Sequence, residues 1–283
     1  MKQISTNKIK EAVKEACLAV QYRYSPKMEL LIKEAMEKEG EGSLAKNILK
    51  ILLENSDVAD DNRLPMCQDT GMVVVRLQIG QNVQLIDGLL SDAVNQGVME
   101  AYDEGYLRKS VVDDPLFTRK NTLDNTPAVI YTELVDGDGI VVDVAAKGFG
   151  SENMSALKMC KPAEGIKGVK DFILQTVKNA GPNACPPLMV GVGIGGTMDY
   201  ASVLAKKALF REPGERNEHP EYAKLEVELL EEINELGVGP QGLGGKTTAL
   251  EVFIEHFPTH IAGMPVAVNI NCHMSRHHQV VIQ

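Results

Sequence analysis

Two β-branched segments joined by a tight-turn sequence constrain the fold of this chain more than any other feature. AVIYTELV at residues 128–135 and IVVDVAAKG at residues 140–148 are rich in residues that favour strands. DGDG lies between them, and Asp-Gly pairs are typical of the short turns of β-hairpins. The pattern predicts an antiparallel hairpin and argues against a purely parallel, doubly wound sheet.

Helical patterns precede such strand segments and alternate with them. Apolar residues from Ile9 to Val20 recur on one helical face, and Ser25 followed by Pro26 predicts the start of a second helix. Ser43 predicts the cap of a third helix. Its predicted inward residues are Leu44, Ile48, Ile51 and Leu52. Further helices are predicted at 85–104, 163–180, 197–211 and 220–236, and further strands at 71–80, 187–196, ALEVFIEHF and MPVAVNINC.

These elements together predict an α+β (mixed α/β) fold. A helical N-terminal region is followed by a mixed sheet with flanking helices. No repeat, low-complexity tract or linker interrupts the chain, so we expect a single domain over residues 1–283.

The charge balance limits the partners that the chain can have. Its net charge is −10 and its pI is near 5.2, which argues against a nucleic-acid or anionic-membrane surface. No apolar run approaches the ~20 residues that a membrane-spanning helix needs. The N-terminal stretch MKQISTNKIKEAVKEA lacks the apolar core of a signal peptide. We therefore expect a cytoplasmic protein with no membrane or nucleic-acid partner.

Two glycine-rich segments resemble nucleotide-binding motifs without completing them. GVGIGG at 191–196 has no acidic residue at the end of a second strand ~20 positions on, as dinucleotide binding requires. We interpret it as a close backbone approach or as a site for a ligand carboxylate. GPQGLGGKTTAL at 239–250 has Pro240 where a phosphate-binding loop needs glycine. It predicts a tight active-site loop around Lys246 and Thr247.

Three of the five cysteines occupy positions that packing explains poorly. Cys17 lies on an apolar helix face, and Cys160 is interpreted as a packing residue. Cys67, Cys185 and Cys272 instead stand at the ends of elements, in LPMCQDTG, GPNACPPLM and VNINCHMSR. Three such residues from distant segments predict one metal centre, although three buried thiols remain an alternative.

The last of these segments also allows a zinc interpretation. Cys272, His273 and His277 include the H-x₃-H spacing of some zinc sites. No C-x₂-C pair exists to complete such a site. A zinc-stabilised interaction protein therefore stays an alternative of a different class.

Three thiolates suit a particular kind of cluster chemistry. A [4Fe–4S] cluster used for electron transfer takes four cysteine ligands. Three ligands would leave one iron open to act as a Lewis acid toward a substrate hydroxyl and carboxylate. Reversible hydration of hydroxy acids needs such an acid, because hydroxide is a poor leaving group, together with a placed base and a carboxylate-binding cation.

Seven motifs in order resemble the class I, iron–sulfur fumarate hydratase and L-tartrate dehydratase family. They are LPMCQDTGM, GYLRKSVV, KGFGSENMSALKM, GPNACPP, GVGIGGTMDYA, GPQGLGGKTTAL and THIAGMPVAVNINCH. The resemblance covers nearly the whole chain and is strongest to the alpha subunit, or to the N-terminal domain of single-chain members. It implies that Cys67, Cys185 and Cys272 bind a [4Fe–4S] cluster with one open iron.

The same resemblance assigns roles to five other residues. Gln68 and Asp69 would contact the substrate, and Asp69 would assist proton transfer. Arg108 would bind a substrate carboxylate in bidentate fashion. Gly150 would offer its backbone amide, and His260 would act as a hydrogen-bonding or acid–base group.

The chain ends eleven residues after Cys272, before the second domain of the single-chain members. The resemblance therefore implies a separate beta subunit that supplies further basic residues and the catalytic base, in an α₂β₂ assembly. Fumarate and L-malate are the expected substrates, with L-tartrate as the alternative. A non-catalytic iron–sulfur regulatory protein is the alternative of another class.

Overall fold

A computed structural model describes all 283 residues, from Met1 to Gln283. Contacts divide the chain into two compact units. Unit 1 comprises Met1–Arg23, Ser56–Phe149 and Arg276–Gln283, and unit 2 comprises Tyr24–Asn55 and Gly150–Ser275. The expectation of a single domain stays a prediction, because compact units of one chain need not fold independently.

Helices and strands are mixed throughout the chain, and the predicted α+β fold class is confirmed. The helices are α1 (Thr6–Tyr22), α2 (Pro26–Lys38), α3 (Leu44–Asn62), α4 (Leu90–Glu104), α5 (Phe149–Glu152), α6 (Gly165–Ala180), α7 (Met198–Ala208) and α8 (Pro220–Glu235). The strands are β1 (Lys2–Ser5), β2 (Met72–Gly80), β3 (Val83–Ile86), β4 (Val129–Val135), β5 (Ile140–Lys147), β6 (Ala156–Cys160), β7 (Leu188–Gly196), β8 (Ala249–Thr259), β9 (Met264–Asn271) and β10 (His277–Ile282). No helix combines the length and apolar composition that a membrane span requires.

The main sheet of unit 1 has the strand order β10-β5-β2-β4, and β1 pairs with β3 in a small parallel sheet. The predicted hairpin of β4 and β5 is wrong, because β2 lies between them, parallel to β4 and antiparallel to β5. The DGDG segment crosses the end of β2, where Gly80 N–H donates to the carbonyl of Gly139 at 2.9 Å. Strand β2 is the more apolar strand, and a central position satisfies both of its backbone edges.

Helices α1 and α4 pack together in the core of unit 1. Ile9 and Val13 of α1, together with Val94 and Val98 of α4, belong to the same buried cluster as the valines of the main sheet. Gly97 permits a close helix crossing, since a Cβ there would lie 2.5 Å from the carbonyl oxygen of Lys10. This crossing lies in the first half of α1, and Gln21 near the other end of the helix contacts the candidate site.

The sheet of unit 2 has the order β6-β9-β7-β8, with β7 parallel to β8 and antiparallel to β9. The GVGIGG segment lies inside β7, where α7 covers it. A Cβ at Gly191 would lie 2.3 Å from the carbonyl oxygen of Ala205, and one at Gly193 would lie 2.0 Å from that of Ala201. These glycines therefore serve a close helix–strand approach, which was one of the two sequence-based interpretations.

Serine side chains cap α2 and α3 as predicted. Ser25 Oγ accepts from Met28 N–H at 3.3 Å, and Ser43 Oγ accepts from Lys46 N–H at 3.1 Å. The predicted inward face of α3 is partly wrong, because Leu44 and Ile51 are exposed. The buried stripe instead runs through Ala45, Ile48, Leu49 and Leu52, which follows the i, i+3, i+4, i+7 spacing of a helix face.

Candidate active site

The corner that precedes β2 carries three of the predicted site residues in unit 1. Cys67 is partly exposed, Gln68 is exposed and Asp69 is partly exposed. The thiol of Cys67 lies 3.6 Å from Gln68 Oε1. Gln21 holds the corner at both ends, because its backbone carbonyl accepts from Met66 N–H at 2.8 Å and its side-chain amide donates to the Thr70 carbonyl at 2.9 Å.

The Asp69 carboxylate joins the corner to the loop that follows β5. Its Oδ1 accepts from Gly71 N–H at 3.0 Å, and its Oδ2 accepts from Phe149 N–H at 2.9 Å. A Cβ at Gly148 would lie 3.3 Å from Oδ2, so a larger residue there would crowd the carboxylate. A carboxylate offers about four lone-pair sites, and Asp69 therefore keeps acceptor capacity for a ligand.

Arg108 is tied to the same corner through its backbone. Its carbonyl oxygen accepts from the Thr70 hydroxyl at 2.9 Å, while its side chain is exposed. Asn125 braces this connection, because its Oδ1 accepts from Ser110 N–H at 2.8 Å and its Nδ2 donates to the Gly71 carbonyl at 3.2 Å. The structure thus brings the segments of Arg108 and Asp69 together in unit 1.

Two predicted ligands lie at one edge of the sheet of unit 2. Cys185 follows a 3₁₀ turn over Gly181–Ala184, is exposed, and has left-handed backbone angles of φ 52° and ψ 65°. Its N–H donates to the Pro182 carbonyl at 3.1 Å. Cys272 follows β9, and Asn271 at the end of β9 pairs with Met189 at the start of β7. Cys185 and Cys272 are therefore brought to the same edge.

Gly150 lies near the turn that carries the first of these cysteines. A Cβ at Gly150 would lie 3.5 Å from the carbonyl oxygen of Asn183, which belongs to the 3₁₀ turn before Cys185. Gly150 is the second residue of the four-residue helix α5. The backbone around Gly150 is therefore close to the Cys185 turn within unit 2.

His260 does not join the two cysteines of unit 2. It directly follows β8, whose last residue Thr259 pairs with Gly196 at the end of β7, whereas Cys185 precedes the start of β7. The nine residues of β7 separate the two ends, and at about 3.3 Å per residue they span roughly 25 Å. The imidazole is exposed, and its Nδ1 accepts from Ala262 N–H at 3.2 Å. A catalytic role for His260 stays a prediction.

His273 is engaged in the interior of unit 2. Its Nδ1 lies 2.6 Å from the hydroxyl of Tyr24, and both side chains are buried. No group of three His, Cys, Asp or Glu side chains stands at metal-binding spacing in the chain. The same holds for Cys67, Cys185 and Cys272, so the zinc alternative and the three-cysteine centre both stay predictions.

The remaining cysteines differ from the three candidates in burial. Burial raises the pKa of the Cys17 thiol to about 12 and also raises that of Cys160. Cys67, Cys185 and Cys272 form no disulfide, and their side chains are exposed or partly exposed. Their donor chemistry fits an iron–sulfur cluster, because cysteine thiolates are the ligands of such clusters.

The buried polar residues behind the corner were missed at the sequence level. Gln21 falls on the apolar stripe of α1, and a polar residue on such a stripe is a usable signal. Tyr102 donates its hydroxyl hydrogen to the Thr70 and Gly71 carbonyls, at 2.8 and 2.9 Å, and burial raises its pKa. Arg276 is buried as well, and no pattern in the sequence distinguishes it.

Comparison with known proteins places the chain in a family. The family model described as fumarate hydratase (Fumerase) matches residues 10–281. The chain belongs to this fumarate hydratase family. The resemblance drawn from the seven motifs is thereby confirmed, and the chain is an enzyme of the hydro-lyase class.

Curated relatives of this fumarate hydratase family member are named as alpha subunits of L(+)-tartrate dehydratase. A Methanocaldococcus jannaschii protein named "Putative L(+)-tartrate dehydratase subunit alpha" is 46% identical over 252 residues, which are 87% of each chain. The "L(+)-tartrate dehydratase subunit alpha" of Escherichia coli strain K12 is 34% identical over 273 residues, which are 96% of this chain and 89% of the relative. A Shigella boydii protein of the same name matches with the same identity and coverage.

Proposed function

We propose that this chain is the alpha subunit of a [4Fe–4S]-dependent hydro-lyase. The reaction is the reversible addition of water to a C4 dicarboxylate, with fumarate and L-malate as one candidate pair. Dehydration of L-tartrate is the second candidate, and the names of the relatives favour it. Both reactions remove or add a hydroxyl beside a carboxylate, and one chemistry serves both.

One observation carries the proposal. Cys185 and Cys272 lie at the same edge of one sheet, while Cys17 and Cys160 are buried in packed interiors. This supports Cys185 and Cys272 as ligands and Cys17 and Cys160 as packing residues. Membership in the fumarate hydratase family supports the same division.

Cys67, Cys185 and Cys272 would hold the cluster as thiolates. When bound, a [4Fe–4S] cluster with one open iron supplies a Lewis acid for the substrate hydroxyl and carboxylate. The thiols must lose their protons to serve as ligands, so accessible positions suit them better than buried ones.

The polar residues of the corner and its neighbours would bind and orient the substrate. Arg108 can pair with a substrate carboxylate through two parallel N–H donors. Gln68 presents an exposed amide, and Gly150 would supply a backbone N–H. Asp69 would hold or release a proton at a carboxylate oxygen, because its two backbone hydrogen bonds fix its position before substrate arrives.

A beta subunit would complete the pocket. The relatives are named as alpha subunits, which supports a partner chain. In this proposal the beta subunit contributes further carboxylate-binding residues and the catalytic base, the assembly is α₂β₂ and cytoplasmic, and the isolated alpha chain is inactive. His260 would enter the pocket only if a second chain brought it there, because its edge of the sheet lies far from Cys185.

The test begins with the alpha chain purified without oxygen. Iron and acid-labile sulfide near four each per chain, with a broad visible absorbance, are expected for one cluster. Serine replacements of Cys67, Cys185 and Cys272 should each lower the iron content, while Cys160→Ser should not. Zinc in place of iron, or no cluster after reconstitution, would overturn the proposal.

The second stage adds the beta subunit and measures turnover of fumarate, L-malate and L-tartrate. A preference for L-tartrate of tenfold or more in kcat/KM, which is about 1.4 kcal/mol, would assign the enzyme to the second candidate. Turnover by the alpha chain alone would contradict the need for a partner.

A further inference from the structure

One residue of α1 contacts the candidate site corner at both ends. Gln21 is fully buried and contacts the corner at two places four residues apart. Its carbonyl accepts from Met66 N–H at 2.8 Å, and its amide nitrogen donates to the Thr70 carbonyl at 2.9 Å. Cys67 and Asp69 lie between these two contacts. The Thr70 end of the corner therefore depends on the orientation of the side-chain amide, and the Met66 end depends on the backbone of Gln21.

A buried cation and the Thr70 carbonyl together determine that orientation. Arg276 Nη1 donates to Gln21 Oε1 at 3.0 Å, and Arg276 is 5% exposed. A guanidinium can only donate hydrogen bonds, so it requires the oxygen of the amide on its side. The amide nitrogen must then face Thr70, whose carbonyl can only accept. The two neighbours together exclude the flipped amide.

Arg276 is fixed by its backbone, while one donor of its buried side chain is unpaired. Its carbonyl accepts from Ala146 N–H at 3.0 Å, which fixes the start of β10 against β5. Its Nε–H is buried without a hydrogen-bond partner. A buried donor left unpaired destabilises a fold, so Arg276 contributes less to stability than its burial suggests. Its side chain also borders the loop after β5, since Nη2 would lie 3.4 Å from a Cβ at Gly148.

The other contacts of the corner act at one end only. Tyr102 and Asn125 bind the carbonyls of Thr70 and Gly71, after the functional residues. The side before Cys67 depends on the backbone of Gln21. The side-chain amide acts at the Thr70 end, so loss of its orientation would loosen the corner three residues after Cys67 while the Met66 contact stays in place.

We propose that Arg276 is a positioning residue that acts through Gln21 on the corner holding Cys67 and Asp69. The guanidinium supports the amide in one orientation, and the amide holds the Thr70 end of the corner. The consequence for catalysis rests on the proposed function. The consequence for the corner itself does not.

The first test uses the alpha chain without a cluster and measures alkylation of each cysteine by mass spectrometry. We expect Arg276→Gln to speed the alkylation of Cys67 about fivefold, the effect of losing one hydrogen bond of ordinary strength. Cys185, in unit 2, serves as an internal reference and should not change. Arg76→Gln is the matched control, because Arg76 is a largely buried arginine of unit 1 that pairs with Asp143.

A second variant covers the case in which Arg276→Gln fails to fold. Gln21→Glu keeps the pairing with Arg276 and removes the donor to Thr70, so it should speed Cys67 alkylation as well. The double variant should alkylate at the same rate as either single variant, since both changes break the same series of hydrogen bonds from Arg276 through Gln21 to Thr70. An unchanged Cys67 rate in Gln21→Glu, or additive effects in the double variant, would overturn the inference.

The catalytic consequence is measured in the complex with the beta subunit. Arg276→Gln should lower kcat by about tenfold or more with little change in KM, and Arg276→Lys should recover part of the loss. A wild-type complex without cluster or turnover would refute the proposed function and leave the alkylation result standing. A fully active complex whose Arg276→Gln variant alkylates and turns over like wild type would refute only the role of Arg276.

Discussion

Glu39 Oε1 accepts hydrogen bonds from both the backbone N–H and the side-chain hydroxyl of Thr247, at 2.9 and 3.0 Å. The same oxygen accepts from Lys246 N–H at 2.8 Å, and Glu39 is buried. These amides belong to the glycine-rich segment that resembles a phosphate-binding loop. The donors that a phosphate would use are occupied by a carboxylate of the same chain, so the loop is a structural anchor.

Removal of this carboxylate should destabilise the fold. Glu39→Ala leaves three donors without their acceptor, and we expect a loss of about 3 kcal/mol in the free energy of unfolding. Urea unfolding followed by circular dichroism measures the loss. Glu37→Ala, on the exposed side of α2, is the control and should change stability little. Equal stability of the two variants would show that Glu39 does not anchor the loop.

The packing of α7 on β7 gives a second prediction. A Cβ at Gly193 would lie 2.0 Å from the Ala201 carbonyl oxygen and 2.6 Å from the Ala205 nitrogen, both in the backbone of α7. Gly193→Ala should cost about 3 kcal/mol or more, because backbone atoms cannot yield as flexible side chains do. Gly40→Ala is the control, since a Cβ there meets nothing within 4 Å. Similar unfolding midpoints for the two variants would contradict the close approach.

The loop after Arg108 contains a carboxylate, Asp114, whose contribution to the stability of the loop depends on pH. Asp114 accepts backbone hydrogen bonds from Leu116, Phe117 and Thr118 at 2.9, 3.2 and 3.1 Å, and these bonds lower its pKa below 3.8. Because folding lowers this pKa, the ionised carboxylate stabilises the folded loop at pH values above 3.8. This contribution is lost as the pH falls through the lowered pKa of the folded state.

Asp114→Asn should therefore raise hydrogen exchange at residues 116–118 at neutral pH. The difference from wild type should shrink as the pH drops below 3.8. Exchange measured by mass spectrometry at both pH values, with residues 140–147 as an internal reference, checks the sign. A difference that grows toward acid would be the wrong sign for this interpretation.

Local patterns in the sequence predicted the elements well and their neighbours less well. The Ser25 and Ser43 caps depend on adjacent residues, and both form as predicted. The β4–β5 hairpin failed because DGDG specifies a turn but not what lies between the two strands. The apolar strand β2 gains more by burial at the centre of the sheet than the hairpin gains by direct pairing.

The site shows the same division between local and distant information. Cys67, Gln68 and Asp69 are consecutive, so a motif could identify them together. Gln21 and Arg276 act on them from distant parts of the chain, and their roles appear only in the hydrogen bonds of the folded unit. Long-range polar contacts of this kind leave no periodic trace in a sequence.

The last prediction concerns His260, which is expected to act in the active site but lies far from Cys185 in the same chain. It lies at the far edge of the sheet from Cys185, so a catalytic His260 would have to serve a site formed with another chain. His260→Ala should then lower kcat of the α–β complex by about a hundredfold, the contribution of a general acid or base.

Mixing two inactive alpha chains decides whether His260 acts in the site of its own chain. Cys67→Ala and His260→Ala chains are unfolded together, refolded, loaded with cluster and combined with the beta subunit. In a symmetric pair, a mixed assembly has one site with both residues intact, so activity should rise above that of either variant alone. Recovery would place His260 in the neighbouring site. A full effect of His260→Ala without recovery in the mixture would place it in its own, against the sheet geometry, and an unchanged kcat would remove it from the reaction.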